Sequence, residues 1–195
     1  MIRSKFAFCN VAKQPVRLKV RQHYNEVFKS EQYTLINVGC TIVVNRPVRE
    51  VFEFVTNPEN DNVWVAFSRE VRKLSPGPIC VGTRFRQRGA VMGLQVPVVW
   101  EITEFERYRR MAAATLTGPA AFKGQYTFEA VPGGTQLVKS GQIEFDGLLR
   151  LIEPVLGGLF QNALQGDMNR LKMLMEQPVT RPGAPPLAGL AGRPG

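Results

Sequence analysis

The chain has 195 residues, 44% of them hydrophobic, with three cysteines, one histidine and a formal net charge of +9. That is the size of one domain with tails, and no apolar run approaches the ~18 residues that a membrane-spanning helix needs. Cys9, Cys40 and Cys80 are odd in number and widely spaced, and they form no CxxC pair; this excludes a disulfide framework and points to a reducing, cytoplasmic setting.

The positive charge is concentrated at the ends. Residues 1–34 hold seven Lys/Arg against two acids, and residues 178–195 hold two arginines and no acid. Between them, sixteen basic residues face fourteen acidic ones. A nucleic-acid-binding domain gathers its charge on a folded face, so no nucleic-acid partner is expected. The N-terminus has no continuous apolar segment, and no secretory leader is expected. Residues 1–34 show no strong period and read as a basic extension, partly ordered, suited to peripheral contact with an acidic membrane or protein surface. The only histidine, His23, lies in it and reads as a solvated surface residue.

The domain pattern runs over residues 35–177. Leu35 to Val44 is β-branched and apolar, which predicts a strand. Asn45-Arg46-Pro47 follows, with Asn45 placed to cap a helix and Pro47 to open it. Val48, Val51, Phe52 and Val55 recur at helical spacing, and Asn57-Pro58 ends that helix. Residues 58–65 make a second short helical turn carrying Trp64. Strands then follow in sequence: Arg69–Leu74, Gly82–Val91, Leu94–Glu106, Arg110–Thr117, Ala121–Val131 and Thr135–Phe145. Met92-Gly93, Gly118-Pro119 and Pro132-Gly133-Gly134 supply tight connections. Pro97 inside a long strand implies an edge or a bulge.

Leu148 to Gln177 is the longest helical pattern. Leu148, Ile152, Val155 and Leu159 share one side of it. Phe160, Leu164, Met168, Leu171 and Met175 share another, rotated from the first, and Gly157-Gly158 falls at the change. Two glycines and Pro154 predict a kinked helix, or a short turn before the main helix. The glycines either let the backbone pack closely on a sheet or leave room for a ligand. Residues 178–195 are rich in Pro, Gly and Ala and read as a disordered tail. Strand, two short helices, sequential strands and a long helix make an α+β class with an antiparallel meander curved around the final helix.

The stretches TIVVNRPVREVFEFVTNPENDNVWV, CVGTRFRQRG, VVWEITEFE, GQYTFEAVPGGTQLV and DMNRLKMLME stand in the order of the START-like (SRPBCC) superfamily. The chain resembles its polyketide cyclase/dehydrase-like group over residues 35–177. The resemblance implies a helix-grip fold, a curved antiparallel sheet wrapped around a long C-terminal helix with a deep cavity between them. It implies a hydrophobic small-molecule ligand such as a lipid or polyketide, and in some members cyclisation or dehydration. The family carries no universal catalytic residues, so none transfers.

With no histidine in residues 35–177, Ser-His-Asp and Cys-His arrangements are excluded there, and a zinc site is not expected. No phosphate-binding glycine motif is present, and no cofactor is expected. Candidate ligand-binding residues are Trp64, Phe85, Gln87, Trp100, Tyr126 and Phe128 from the strands and turns, with Leu159 and Phe160 from the helix. Aromatic walls with polar tips are the usual lining of a small-molecule site. Lys139 and Tyr126 are the candidates for polarising a carbonyl or enol. Lys139 shares a strand face with Leu137, Gly141 and Ile143; on a concave face its ammonium would be desolvated and its pKa depressed. The plainer expectation is a packed stem with a head that reaches solvent. Arg84, Arg86 and Arg88 form a stripe expected on the convex face, paired with Glu101 or Glu129.

Overall fold

The structure, a computed structural model, describes residues 34–91, 94–118, 120–145 and 153–177. The basic extension up to residue 33 with His23, the Met92-Gly93 connection, Pro119, the Leu148–Ile152 part of the helical pattern and the Pro/Gly-rich tail lie outside the described residues.

The first strand, β1 (Thr34–Val44), is followed by α1 (Val48–Val55), a 3-10 turn (Pro58–Asn60) and α2 (Asp61–Trp64). Six strands follow: β2 (Ser68–Lys73), β3 (Arg84–Val91), β4 (Leu94–Glu106), β5 (Arg110–Thr117), β6 (Ala121–Val131) and β7 (Gly134–Phe145). The described part ends with α3 (Glu153–Glu176). The seven strands form one antiparallel sheet in the order β1-β7-β6-β5-β4-β3-β2. The first strand thus pairs with the last, while β2 to β7 run as a meander. This is the α+β, helix-grip arrangement expected.

One local expectation is corrected and another is met locally. Asn45 does not cap α1: Pro47 holds the N-cap position without a side-chain bond, and the Asn45 N–H donates instead to Glu176 Oε1 at 2.7 Å. β4 is an interior strand, but its pairing with β5 begins at Val99. Pro97 therefore lies in a stretch paired on the β3 side only, which leaves its missing N–H without consequence.

α3 is unbroken from Glu153 through Gly157-Gly158. Pro154 sits in its first turn, where no helical partner for an N–H exists. Of the two candidate stripes, the second is the buried one: Leu164, Met168 and Leu171 are buried, whereas Val155 is 73% and Leu159 47% exposed. A Cβ on Gly157 would stand 3.8 Å from Ile36 Cγ2, and one on Gly158 would meet open space. The glycines thus mark a helix face at the rim of the sheet, and neither lines the cavity described below.

α3 packs chiefly on β1. β1 is a sheet edge, and outward backbone groups of Gly39 and Val43 are taken by side chains of the helix. Gly39 N–H donates to Gln161 Oε1 at 3.1 Å, and Gln161 Nε2 returns a bond to Gly39 O at 2.8 Å. Lys172 Nζ bonds Val43 O, and Arg46 reaches back to Met175 O at 2.7 Å. A free strand edge invites pairing with another chain; here the helix covers it. The main core lies between α1, α3 and the β1-β7-β6 side. There Phe52 takes Phe105, Tyr108 and Phe128 edge-on, with ring centroids 5.5, 5.4 and 5.0 Å away. A second cluster of Val71, Phe85, Ile102 and Met111 fills the β2–β5 end.

Candidate functional site

The helix seats on one edge of the sheet, and the strands curve away from it. α2 closes the far side by touching both β2 and α3. The space left is a cavity of about 350 Å³. Its walls come from β3–β7, from the α1–β2 connection and from Phe160, Ala163 and Leu164 of α3. Phe67 and Phe160 meet edge-on at 6.4 Å between that connection and the helix. Gly124 on β6 stands opposite Gly141 on β7. A Cβ on either would come within 2.5 or 2.8 Å of the Phe122 ring, so these glycines make the room in which that ring covers the sheet.

Five of the nine residues singled out from sequence line this cavity: Gln87, Trp100, Tyr126, Lys139 and Phe160. Trp100 Nε1 donates to Gln87 Oε1 at 3.1 Å, and the Ser68 hydroxyl reaches the same oxygen at 3.5 Å. The other four are placed elsewhere. Phe85 is fully buried and stacks on Trp100 at 4.6 Å. Trp64 and Phe128 belong to the main core. Leu159 stands on the exposed face of α3.

Lys139 is half-buried, and its head turns into the cavity rather than out past a strand end. β7 sets it opposite Tyr126 on β6 and Cys40 on β1, on the concave face. Its Nζ lies 5.3 Å from the Trp64 ring and 5.1 Å from the Tyr126 ring, on the side of the Tyr126 hydroxyl. Cation–π contact of this kind stabilises a desolvated ammonium. The depressed pKa expected for a cavity lysine is corrected too. Burial pulls it down; the Tyr126 oxygen, which counts most once ionised, and the carboxylates of Asp61 and Asp167 pull it up, and the net direction is above its ordinary value. Lys139 is therefore a fixed cation at neutral pH. Burial pushes the Tyr126 phenol up against the opposing pull of Lys139, so Tyr126 keeps its proton.

Two carboxylates in the same cavity were not singled out from sequence. Asp167 is 4% exposed. It accepts the Ala66 N–H at 2.8 Å and pairs with Arg170, whose Nε donates to Trp64 O at 3.0 Å. These bonds tie α3 to the α2–β2 connection. Asp61, first residue of α2, has no such partners: among the described residues no hydrogen bond holds its carboxylate. Burial pushes its pKa up to about 7, against the opposing pull of Lys139 and with the Asp167 charge adding to the rise. The sequence signal was present for Asp167, which interrupts the apolar stripe between Leu164 and Met168. For Asp61, between two asparagines in a polar-looking turn, nothing in the pattern set it apart.

The arginine stripe is exposed. Arg84 pairs with Glu101 at 2.8 Å, as expected, and Arg88 with Glu70 at 3.3 Å. Glu129 is no partner, because β5 and β4 separate its strand β6 from β3. The Cys40 thiol, pushed up by burial, donates to Gln165 Oε1 at 3.2 Å. Among the described residues, no three His, Cys, Asp or Glu side chains are grouped to hold a metal ion, and no helix is long and apolar enough to cross a membrane.

The family described as polyketide cyclase/dehydrase and lipid transport matches residues 36–176. No curated protein matches the chain in sequence. Among solved structures, the Zhui aromatase/cyclase from Streptomyces sp. R1128 is similar with a TM-score of 0.64 at 17% identity, over 73% of this chain and 94% of that one. TTHA0849 from Thermus thermophilus is similar with a TM-score of 0.62 at 17% identity, over 70% and 94%. The di-domain aromatase/cyclase BexL from the BE-7585A biosynthetic pathway is similar with a TM-score of 0.60 at 16% identity, over 82% of this chain and 55% of that one. At such identities the likeness is one of fold.

Proposed function

The chain belongs to the polyketide cyclase/dehydrase and lipid transport family, and on that footing we propose that it binds a hydrophobic or aromatic small molecule in the cavity between the sheet and α3. The cavity itself carries this reading. Its volume, about 350 Å³, falls among those of small-molecule sites, roughly 300–1,000 Å³, and such sites pair apolar walls with a few convergent polar groups. Here Trp100, Phe122, Phe67 and Phe160 supply walls, and Lys139, Tyr126 and Asp61 stand together as the polar end. Native mass spectrometry and solvent extraction of the purified protein are expected to show a co-purifying apolar compound. Ala163→Phe, which fills the lumen from α3, is expected to remove it without unfolding the protein. An empty wild-type protein that also ignores a panel of aromatic compounds would sink the reading.

A second reading, an enzyme of the cyclase/dehydrase type, is favoured by one observation. The Lys139–Tyr126 pair is a charge-assisted donor set for a developing oxyanion, and Asp61 is a carboxyl poised near neutrality. Those are the groups needed to enolise a carbonyl: donors on the oxygen and a base for the adjacent proton. The solved aromatase/cyclases share the fold. If an aryl-capped poly-β-ketone is turned over, and Asp61→Asn or Lys139→Met abolishes turnover with affinity retained, the enzyme reading replaces the binder.

A further inference from the structure

We propose that the cavity selects ligands carrying a single anionic oxygen group on an apolar body, the anion held by Lys139 Nζ and the Tyr126 hydroxyl, with Asp61 taking up one proton as it enters. The inference rests on the cavity reading above and adds to it the charge of the ligand.

Three charged side chains line the cavity: Lys139, Asp61 and Asp167. Asp167 is already committed to Arg170 and the Ala66 N–H. The balance of the lumen is therefore set by Lys139 and Asp61. Among the described residues, no carboxylate forms a salt bridge with Lys139. Its ammonium has three donors, with the Tyr126 hydroxyl near it and two ring faces giving diffuse support. An apolar ligand without an acceptor would leave donors unmet, and a buried unmet donor is costly. An amine would meet like charge. A carboxylate or phenolate meets both the charge and the open donors.

The anion would stand beside Asp61, which is faced by Lys139 from β7, Tyr126 from β6 and Asp167 from α3. A second negative charge there favours the protonated carboxyl further, and that carboxyl can then donate to the ligand. Asp61 in the free protein titrates near pH 7, so the linkage has a definite sign. Below that pH the proton is already present and affinity for a carboxylate is flat. Above it the proton must come from solution, and affinity falls by about tenfold per pH unit.

The test is isothermal titration calorimetry of the full chain with 2-naphthoate and its neutral isostere 2-naphthamide between pH 6 and 9. We expect naphthoate to bind at least about tenfold more tightly than naphthamide at the acid end, where the charge pair with Lys139 is the difference. The preference should decline above pH 7, with one proton taken up per ligand as read from buffers of different ionisation enthalpy. Asp61→Asn should flatten the pH profile and keep the preference for naphthoate. Lys139→Gln should erase the preference and keep naphthamide affinity; Tyr126→Phe, which retains the ring, should reduce the preference, so the inference does not hang on one variant folding. An amide that binds as tightly as the acid overturns the anion inference and leaves the cavity reading standing. So does a preference that is flat across pH or that survives Lys139→Gln. If neither probe binds, the inference fails, and the cavity reading is decided by the co-purified compound and the aromatic panel.

Discussion

Asp61 is held where its ionised form is disfavoured, and that has a cost in stability. Its folded-state pKa of about 7 lies above the ~3.9 of an aspartate in an unfolded chain. Between those values the folded protein keeps a proton that the unfolded chain has released. The contribution is fully present below about pH 4 and is lost as pH rises through 7. Asp61→Asn should therefore match the parent in stability near pH 4 and exceed it above pH 7, by on the order of 2–4 kcal/mol. Guanidinium unfolding at pH 4.5 and pH 8 checks this, and a gap independent of pH would show that the carboxylate is not desolvated as placed. Glu176 acts in the opposite sense. The Asn45 N–H and Lys172 hold it below the usual carboxylate range, so the strap between α3 and the end of β1 is present at neutral pH and loosens only in acid. Neither site residue's state was legible from sequence. The alternation of β7 placed Lys139 on the face of Leu137 and Ile143 correctly, but a strand pattern does not tell whether a face looks into an enclosed cavity or out at its rim. The sign of the lysine's shift depends on Tyr126 and Asp61, brought to it by β6 and by the turn before β2.

At the scale of elements, α3 shows where sequence periodicity sufficed and where it did not. The stripe of Leu164, Met168 and Leu171 was readable because 3.6-residue spacing is local. The meaning of Gly157-Gly158 was not, because it depends on where the helix leaves the sheet. The cap at Asn45 was misread because α1 begins at Val48 with Pro47 in the N-cap position, which leaves Asn45 two residues outside it, its N–H taken by Glu176, 131 residues away. The structure gives these glycines opposite prospects from that of Gly134. Gly158 faces open space, and Gly158→Ala should stabilise the protein by about 0.5–1 kcal/mol by removing backbone freedom from the unfolded chain and improving helix propensity. Gly134 opens β7 at φ +149°, with the place of a Cβ only 2.1 Å from Val44 O. Gly134→Ala should cost at least about 2 kcal/mol, since backbone atoms must move. Chemical denaturation of the two variants side by side measures both signs.

At the scale of the molecule, strand order, meander and closing helix were legible because each element carries its own period and each turn its own residues. That a curved sheet gripping a helix leaves a cavity was legible in general terms, but its size and lining were not, since they follow from how far the sheet curves before α2 meets α3. The expected domain, residues 35–177, can be tested against the distribution of charge. The described elements close upon themselves: β1 pairs with β7 along its length, and α3 covers its other edge. The family match ends at residue 176. Most of the +9 lies outside, since residues 35–177 hold sixteen basic and fourteen acidic side chains. A chain of residues 35–177 should therefore melt cooperatively within a few degrees of the full-length protein and keep its affinity for a cavity ligand. On a cation exchanger it should elute far earlier than the parent, because exposed charge governs that interaction and is screened by salt. A shortened chain that melts without cooperativity would place part of residues 1–34 in the core and move the domain boundary. One that folds yet still binds the exchanger as the parent does would move the effective basic surface onto the Arg84-Arg86-Arg88 stripe of β3.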